Sequence, residues 1–560
     1  MSVNFVPPSP GAWELERTHV TRPVSVLMAE VFPASMMRGF SEGTRHYGVL
    51  LDHLDVAIIN RFCYMAPRPA GAPKSAKGPP PKFVFKLLQH VQPELKRRIK
   101  RAAEIFPERS WRKELAWWHN EVKPRIVAES KALLAEDLAT LPTPQFIDHL
   151  RRAVDFFGRT IYWHHRFNCC VMIPTGDFVA HVTEWTKLPA SEILQVLRGS
   201  SPVSAGATEE LQKLRTAIRS DGEAGRVLAS GDEPNSILEQ LRMRPAPVGP
   251  AAAEYLDAVG LRIIGGYDVA DDQVQDHPDL LLKILRAAVA RADSGRGAGA
   301  DEAIAAIRER VPADRRSMFD ELVGEALAAY GARDERIFYG DSLGAGVARR
   351  AVLEAGARLH RIRRIQQPTH LFDATLAESV HLLEGGSEPS AEELAARAKF
   401  RLETSMDVAP ARLGFPPSAP PPAEWLPPPA ARLQRALDTM LGLMFDAREQ
   451  QASGQTLRGF AASPGVYEGP ARVIDSIAEL PSILAGDVLV TRSTGPTFNV
   501  ILPLIGAIVT ERGGALSHAA IVAREYGLPA VVGCGGATGA IRTGTRVKVD
   551  GSKGEVWILG

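Results

Sequence analysis

Between Lys82 and about Thr404, apolar residues recur mainly every three or four positions, the period of a helix with one buried face. Glu94–Phe106, Thr143–Trp163, Thr208–Ser220, Pro278–Ala292, Gly344–Ile365 and Ser390–Phe400 all follow it, with Gly, Pro or Asp at their breaks. Ser390 followed by Glu393 has the form of a capping box. Another helix is predicted over 431–451, its buried stripe formed by Leu433, Leu437, Met440, Leu441 and Met444. From Leu457 the period shortens to that of strands. ARVI, DVLVTR, AIVTE, PAVVG, RVKVD and EVWIL are short β-rich runs separated by glycine turns and by one helix, SHAAIVAREYG.

Proline and glycine divide these regions. Pro67–Pro81 reads as a basic loop and Pro410–Pro429 as a stiff polyproline-type strap. Gly199–Ala207 and Ser294–Asp301 read as loops, and Gln451–Thr456 as a flexible joint. The expected organisation is a mostly α-helical N-terminal and central body at 1–405, a linker with a helix and the joint at 406–457, and a compact C-terminal α/β domain at 458–560. The helical body and the small domain are expected to be separate bodies, since 560 residues exceed what one core usually holds.

Composition narrows the function classes. Lys+Arg 66 against Asp+Glu 65 leaves a net charge of +1, so no global field draws nucleic acid or an anionic membrane. Lys96–Glu104 is basic but has no interleaved aromatic residues, which argues against nucleic-acid binding. No apolar run reaches the ~20 residues of a membrane helix. Four cysteines without a CxxC pair suggest neither a disulfide framework nor a zinc site, and the expected location is the cytoplasm. Gly533–Gly539 spaces its glycines unlike a dinucleotide fingerprint and reads as a turn.

The chemistry concentrates in Ala507–Gly533. A strand ends near Glu511, two glycines follow, and a helix begins at Ser517, a natural N-cap. His518 then stands in the first turn, where backbone amides are unused and the helix dipole is positive. An anion is stabilised there without Lys or Arg. A neutral ring nitrogen at that place can attack a phosphoryl group, and Gly513 and Gly514 permit positive φ and close backbone approach.

GGALSHAAIVAREYGLPAVVG closely resembles the phosphohistidine motif of the swivelling domain in phosphoenolpyruvate-utilising enzymes. ASPGVYEGPARVI, AGDVLVTRSTGPTF and TGTRVKVDGSKGEVWIL extend the resemblance over about Gly459–Gly560. It implies that His518 is the phosphorylated residue and that Gly513, Gly514, Ser517 and Ala519 shape the phosphate pocket. Leu516 stands where many members have threonine, so a hydroxyl is missing; the rifampicin phosphotransferase branch is similar in having an apolar residue there.

The resemblance also implies a donor module of the ATP-grasp type. No such module and no C-terminal barrel are recognisable in the chain, so ATP and Mg2+ are expected on a separate ATP-grasp subunit, as in phenylphosphate synthase. Ala348–Leu383 and the segment near Thr18 are similar to acceptor-binding helical regions of the family. The implied reaction carries a phosphoryl group from ATP through His518 to a hydroxyl of a small organic acceptor, an aromatic one being an option.

Candidates for the acceptor pocket are Trp117, Trp118 and His119 in one run, and Tyr162, Trp163, His164 and His165 in another. A histidine among them would be the general base. The same residues also suit a helical core. His164 and His165 point about 100° apart, so no metal site is expected. Arginines 349, 350, 358, 361, 363 and 364 suit either a phosphate or a solvated helix face. Two other readings of the whole remain open: a non-catalytic binding protein that keeps the fold, or a carrier passing phosphate to another protein.

Overall fold

The computed structural model describes residues 4–17, 20, 22–200, 209–261, 263, 267–290, 300–445, 456–474, 477–495, 498, 501–502 and 504–559. Two compact units emerge from the packing. One comprises Met1–Val171, Gly266–Asp271 and Glu335–Arg435; the other comprises Met172–Gly265, Asp272–Asp334 and Ala436–Gly560. The boundaries expected from sequence, 1–405, 406–457 and 458–560, do not coincide with these. Apolar contact explains the difference. Helical residues such as Leu214, Ile218, Tyr255 and Leu281 share one core with Leu489, Ile508 and Val522 of the C-terminal segment.

In the first unit, strands β1 (Ala12–Leu15), β2 (Leu51–Ile59), β3 (Phe62–Pro69) and β4 (Arg412–Gly414) form a sheet in the order β2-β3-β1-β4. The helical period gave no sign of it. β2 and β3 join through Asn60 and Arg61, both at positive φ, a tight hairpin turn without the usual glycine. Pro67–Pro69, expected in a loop, belong to β3, and Arg412–Gly414 of the expected strap pairs with β1. Trp13, Phe62, Tyr64 and Leu413 make the core of this sheet.

Two long helices of that unit, Val26–Tyr47 and Thr143–Arg166, lie against each other at glycines. A Cβ on Gly39 would sit 2.3 Å from the Tyr162 carbonyl, and one on Gly43 would sit 2.8 Å from that of Arg166. This contact fixes the height of Tyr162–Arg166. Two π-helical stretches, Trp118–Val122 and Arg336–Ser342, occur in the same unit.

In the second unit, β5 (Thr456–Arg458), β6 (Phe460–Ser463), β7 (Val466–Ile474), β8 (Val488–Thr491), β9 (Ala507–Thr510), β10 (Ala530–Val532), β11 (Arg546–Asp550) and β12 (Glu555–Ile558) form one sheet. Its order is β5-β12-β11-β7-β8-β9-β10-β6. β7, β8, β9 and β10 run parallel. The helix His518–Tyr526 crosses from β9 to β10, as parallel pairing requires a crossover.

The 428–445 helix has the expected stripe with one exception. Leu433, Leu437 and Met440 are buried, but Leu441 is exposed. It lies about 80° round from Leu433, whereas the others fall within about 40°. Ser390 caps its helix by accepting from the Glu393 amide, while the reciprocal box is found at Thr375 and Glu378. Residues 451–455 of the expected joint, 201–207 of one expected loop and 294–299 of the other lie outside the described residues; Thr456 opens β5, and Ala300 and Asp301 open a helix.

Gly39→Ala is expected to cost about 1–3 kcal/mol through backbone overlap with Tyr162. Gly324→Ala, mid-helix with nothing within 4 Å of the new Cβ, is expected to stabilise by about 0.5–1 kcal/mol. Opposite shifts of the denaturation midpoint would check both.

Candidate functional site

Ser517 adopts extended backbone angles and accepts a hydrogen bond from the Ala520 amide at 3.4 Å, so the helix starts at His518. Gly527, in the left-handed conformation, closes it nine residues later. The histidine thus sits past the carboxyl end of parallel strand β9, at a strand-to-helix turn. Ligand sites of open α/β sheets gather at such ends.

The loop before it is held from several sides within its own unit. Gly513 has φ +112, where a side chain would be strained and would collide with Ser517. At Gly514 the close approach serves packing: a Cβ would lie 2.3 Å from the Leu443 carbonyl. That carbonyl accepts from the Leu516 amide at 2.9 Å. Leu516 itself is fully buried among Phe178, Phe319 and Ile521, which explains an apolar side chain there. Buried Arg524 donates to the carbonyls of Ala462 and Ala515 at 2.9 and 2.7 Å. Arg333, from the Arg316–Glu335 helix, donates to the Leu516 carbonyl at 2.8 Å. Ala519 is buried in the first helical turn.

The imidazole has two unlike nitrogens. Nδ1 lies 3.0 Å from the Thr494 hydroxyl. Nε2 is buried and has no hydrogen-bond partner among the described residues. Burial pushes the His518 imidazole down to about 4, with Asp334 raising it and Arg333 lowering it. In the tautomer with its proton on Nδ1, the neutral ring donates to the Thr494 hydroxyl and leaves a lone pair on Nε2; in the other tautomer the hydroxyl donates to Nδ1. A buried polar atom left unpaired costs ~1–3 kcal/mol, and such exceptions in a folded protein call for an explanation. An in-line attack on phosphorus uses such a lone pair.

Thr494 is a site residue that motif reading missed. It follows β8, and pairing of β8 with β9 brings it beside His518 from 24 positions away. Its run, TRSTGPTF, was part of the resemblance, but nothing local marks the second threonine as a histidine partner. It supplies a hydroxyl to the ring although Leu516 does not.

The aromatic candidates all fall in the other unit, where they do come together. Trp117 meets Trp163 edge-on at 5.2 Å and Phe167 at 5.4 Å, and Trp163 stacks on Phe167 at 5.8 Å. Trp118 is fully buried, its indole donating to Glu335 at 3.0 Å. His119 is exposed and lies 3.5 Å from the same carboxylate. Tyr162 donates to Glu42 at 2.5 Å. His164 Nδ1 lies 2.7 Å from Asp341, and the His165 ring is 4.7 Å from that of His164. The cluster therefore has a packed interior and a half-buried edge of histidines and carboxylates.

Two arginines of the 343–361 helix reach backbone carbonyls. Arg350 donates to the carbonyls of Leu133, Leu134 and Glu136, and Arg358 to those of Leu138 and Leu141. The Leu133, Leu134 and Glu136 carbonyls lie at the carboxyl end of the Lys123–Ala135 helix, and those of Leu138 and Leu141 in the turn beyond it. Arg349 is buried against Phe372 and the Ala270 carbonyl, Arg361 reaches Glu354, and Arg364 reaches the Gly385 carbonyl. Within Lys96–Glu104, Arg98 is buried on Glu94, Asp52 and the Val49 carbonyl.

Residues 483–554 match the family model of the PEP-utilising enzyme mobile domain, and residues 172–334 match that of the rifampicin phosphotransferase fourth domain. The segment around His518 is thus similar to the mobile domain of phosphoenolpyruvate-utilising enzymes. A rifampicin phosphotransferase of Streptomyces sp is 27% identical over 463 residues, 79% of this chain and 50% of that protein. A phosphotransferase described as uncharacterized, YvkC of Bacillus subtilis (strain 168), is 31% identical over 44% of this chain and 27% of its own length. The phosphoenolpyruvate synthase of Pyrococcus furiosus is 43% identical over 112 residues, 20% of this chain and 14% of that one. The chain thus spans half or less of the length of these relatives. Among solved structures, a Thermococcus kodakaraensis aconitase X chain aligns with 19% of this chain at 25% identity and a TM-score of 0.17, a likeness too slight to bear on function. Apart from Gly266–Asp271, both matched segments belong to the second unit, and the mobile-domain match contains Thr494, Gly513, Gly514, Ser517 and His518. No helix among the described residues is long and apolar enough to cross a membrane.

An NMR titration of the His518 ring is expected to show a midpoint near pH 4 instead of the ordinary 6.5. The sign for stability follows. The unfolded chain takes up that proton between these values and the folded chain does not, so stability rises with pH through the window and levels above it. Replacing His518 with alanine should flatten that rise.

Proposed function

We propose that this chain is the phosphohistidine-carrying and acceptor-binding component of a phosphotransferase. The observation that carries this is the state of His518: neutral, tied by Nδ1 to Thr494, and with Nε2 buried and unpaired at a helix N-terminus. Both matched families point the same way, since the named relatives are phosphotransferases and a phosphoenolpyruvate synthase.

In this reading the reaction is dikinase-like: the Nε2 lone pair attacks a phosphorus of ATP, the P–O bond to the leaving phosphate or nucleotide oxygen breaks, and that oxygen leaves with the electron pair. Before the attack Thr494 holds the Nδ1 proton and with it the ring's orientation; the new N–P bond leaves the ring cationic until Nδ1 gives that proton up. The amides of the first turn around Ala519 and the Ser517 cap receive the anion. The phosphoryl group then passes to a hydroxyl of an organic acceptor. The edge formed by His119, Tyr162, His164 and His165 against Trp117 and Trp163 is the candidate acceptor surface, and Trp118 supports it from within. His164, held by Asp341, has the arrangement of a general base.

ATP and Mg2+ are assigned to a separate ATP-grasp subunit. Among the described residues, no group of three His, Cys, Asp or Glu side chains is disposed to hold a metal ion, and no step above is routed through one. Mg2+ would supply charge neutralisation on the ATP phosphates.

Incubating the chain with ATP, Mg2+ and a candidate ATP-grasp protein, followed by intact-mass measurement, tests the reading. An acid-labile, base-stable phosphate on His518 is expected, with none on His518→Ala. Thr494→Val should slow labelling roughly tenfold, the worth of one hydrogen bond of ~1.4 kcal/mol. Labelling of His518→Ala equal to that of the unaltered chain would remove His518 from the mechanism.

A further inference from the structure

A second buried group near His518 also lacks a partner. Arg333 donates through Nη2 to the Leu516 carbonyl, two residues before the histidine, while its Nη1 is buried with no hydrogen-bond partner among the described residues. Guanidinium groups are planar forks with several donors, and buried ones normally use them in pairs on an oxyanion. Here one arm holds the histidine loop and the other ends in an enclosed place with nothing to receive it. The charge of Arg333 acts on the His518 ring and disfavours a proton there. Asp334, the next residue, acts in the opposite sense.

We infer that Arg333 binds the phosphoryl group carried on His518, its free arm and the unpaired Nε2 being two sides of one phosphate site. This deepens the carrier reading and rests on it. The helix N-terminus alone offers amides that are partial charges. A phosphoryl group brings close to two negative charges and three acceptor oxygens, and Arg333 adds a full positive charge with a directed donor. The cation comes from the segment matched to the rifampicin phosphotransferase fourth domain, and the histidine from the mobile domain. The phosphorylated loop would therefore hold more firmly to the end of the Arg316–Glu335 helix than the unphosphorylated one. Phosphorylation and docking of this loop become linked, since a cation that favours the phosphorylated state is itself favoured by it.

Phosphoramidate tests this without any partner subunit. The Nε2 lone pair forms the new N–P bond as the P–N bond of phosphoramidate breaks and ammonia leaves, and the ring keeps its Nδ1 proton. Three variants are compared with the unaltered chain: Arg333→Gln, Arg333→Lys and His518→Ala. Formation and decay of the adduct are followed by intact mass and 31P NMR, and the His518 ring is followed by NMR as inorganic phosphate is added. Arg333→Gln is expected to change the rate of formation or decay by roughly tenfold or more and to abolish the response to phosphate. Arg333→Lys, which keeps the charge but loses the fork, should fall between. Unchanged formation, decay and phosphate response in Arg333→Gln would overturn the inference and leave the carrier reading standing. A folded, unaltered chain whose His518 neither forms the adduct nor responds to phosphate would overturn both.

Discussion

One imidazole kept neutral by burial, with one nitrogen tied and the other left bare, is the constraint around which the second unit is arranged. Burial alone would make His518 inert, and exposure alone would let water hydrogen-bond the nitrogen proposed to react. The contact of Nδ1 with the Thr494 hydroxyl holds the ring's orientation, and the ring stands in the first turn of a helix. Each support has a packing counterpart. Gly514 allows the Leu443 carbonyl to reach the loop, Arg524 takes two carbonyls on its far side, and Leu516 anchors it in the core. The group proposed to react is thus positioned by side chains to which no chemistry is assigned.

The first unit shows the opposite balance, with polar residues mostly committed to architecture. Arg350 and Arg358 satisfy carbonyls at and beyond a helix end, and Arg98 neutralises Glu94 and Asp52 inside the fold. Where aromatic and titratable groups coincide, at Trp117, Trp163, His164 and Asp341, two π-helical stretches lie in the same unit. Such stretches distort regular hydrogen bonding and are frequent at functional sites. The acceptor surface proposed there takes its shape from the close glycine contact of the 26–47 helix with Tyr162 and Arg166.

Local signals were readable where one residue's role is decided within a few positions. Ser517 as N-cap, His518 in the first turn, the long amphipathic helices and the runs of β9 to β12 all follow from nearest-neighbour chemistry and from period. The hairpin of β2 and β3 was missed because its turn is Asn60-Arg61 without a glycine and because apolar residues there do not alternate cleanly. Leu441 was misplaced because it lies at the edge of a stripe whose centre is Leu433 and Met440.

The amino-acid sequence by itself determined that a histidine would stand at a helix start behind a glycine turn, because caps, dipoles and turns act over one helical turn. Only the tertiary structure decided which nitrogen of that histidine is bare, that Thr494 holds the other, and that Arg333 reaches Leu516. These partners lie 24 and 183 positions away along the chain. Strand pairing and helix packing bring them together, and no local periodicity encodes which distant side chain arrives.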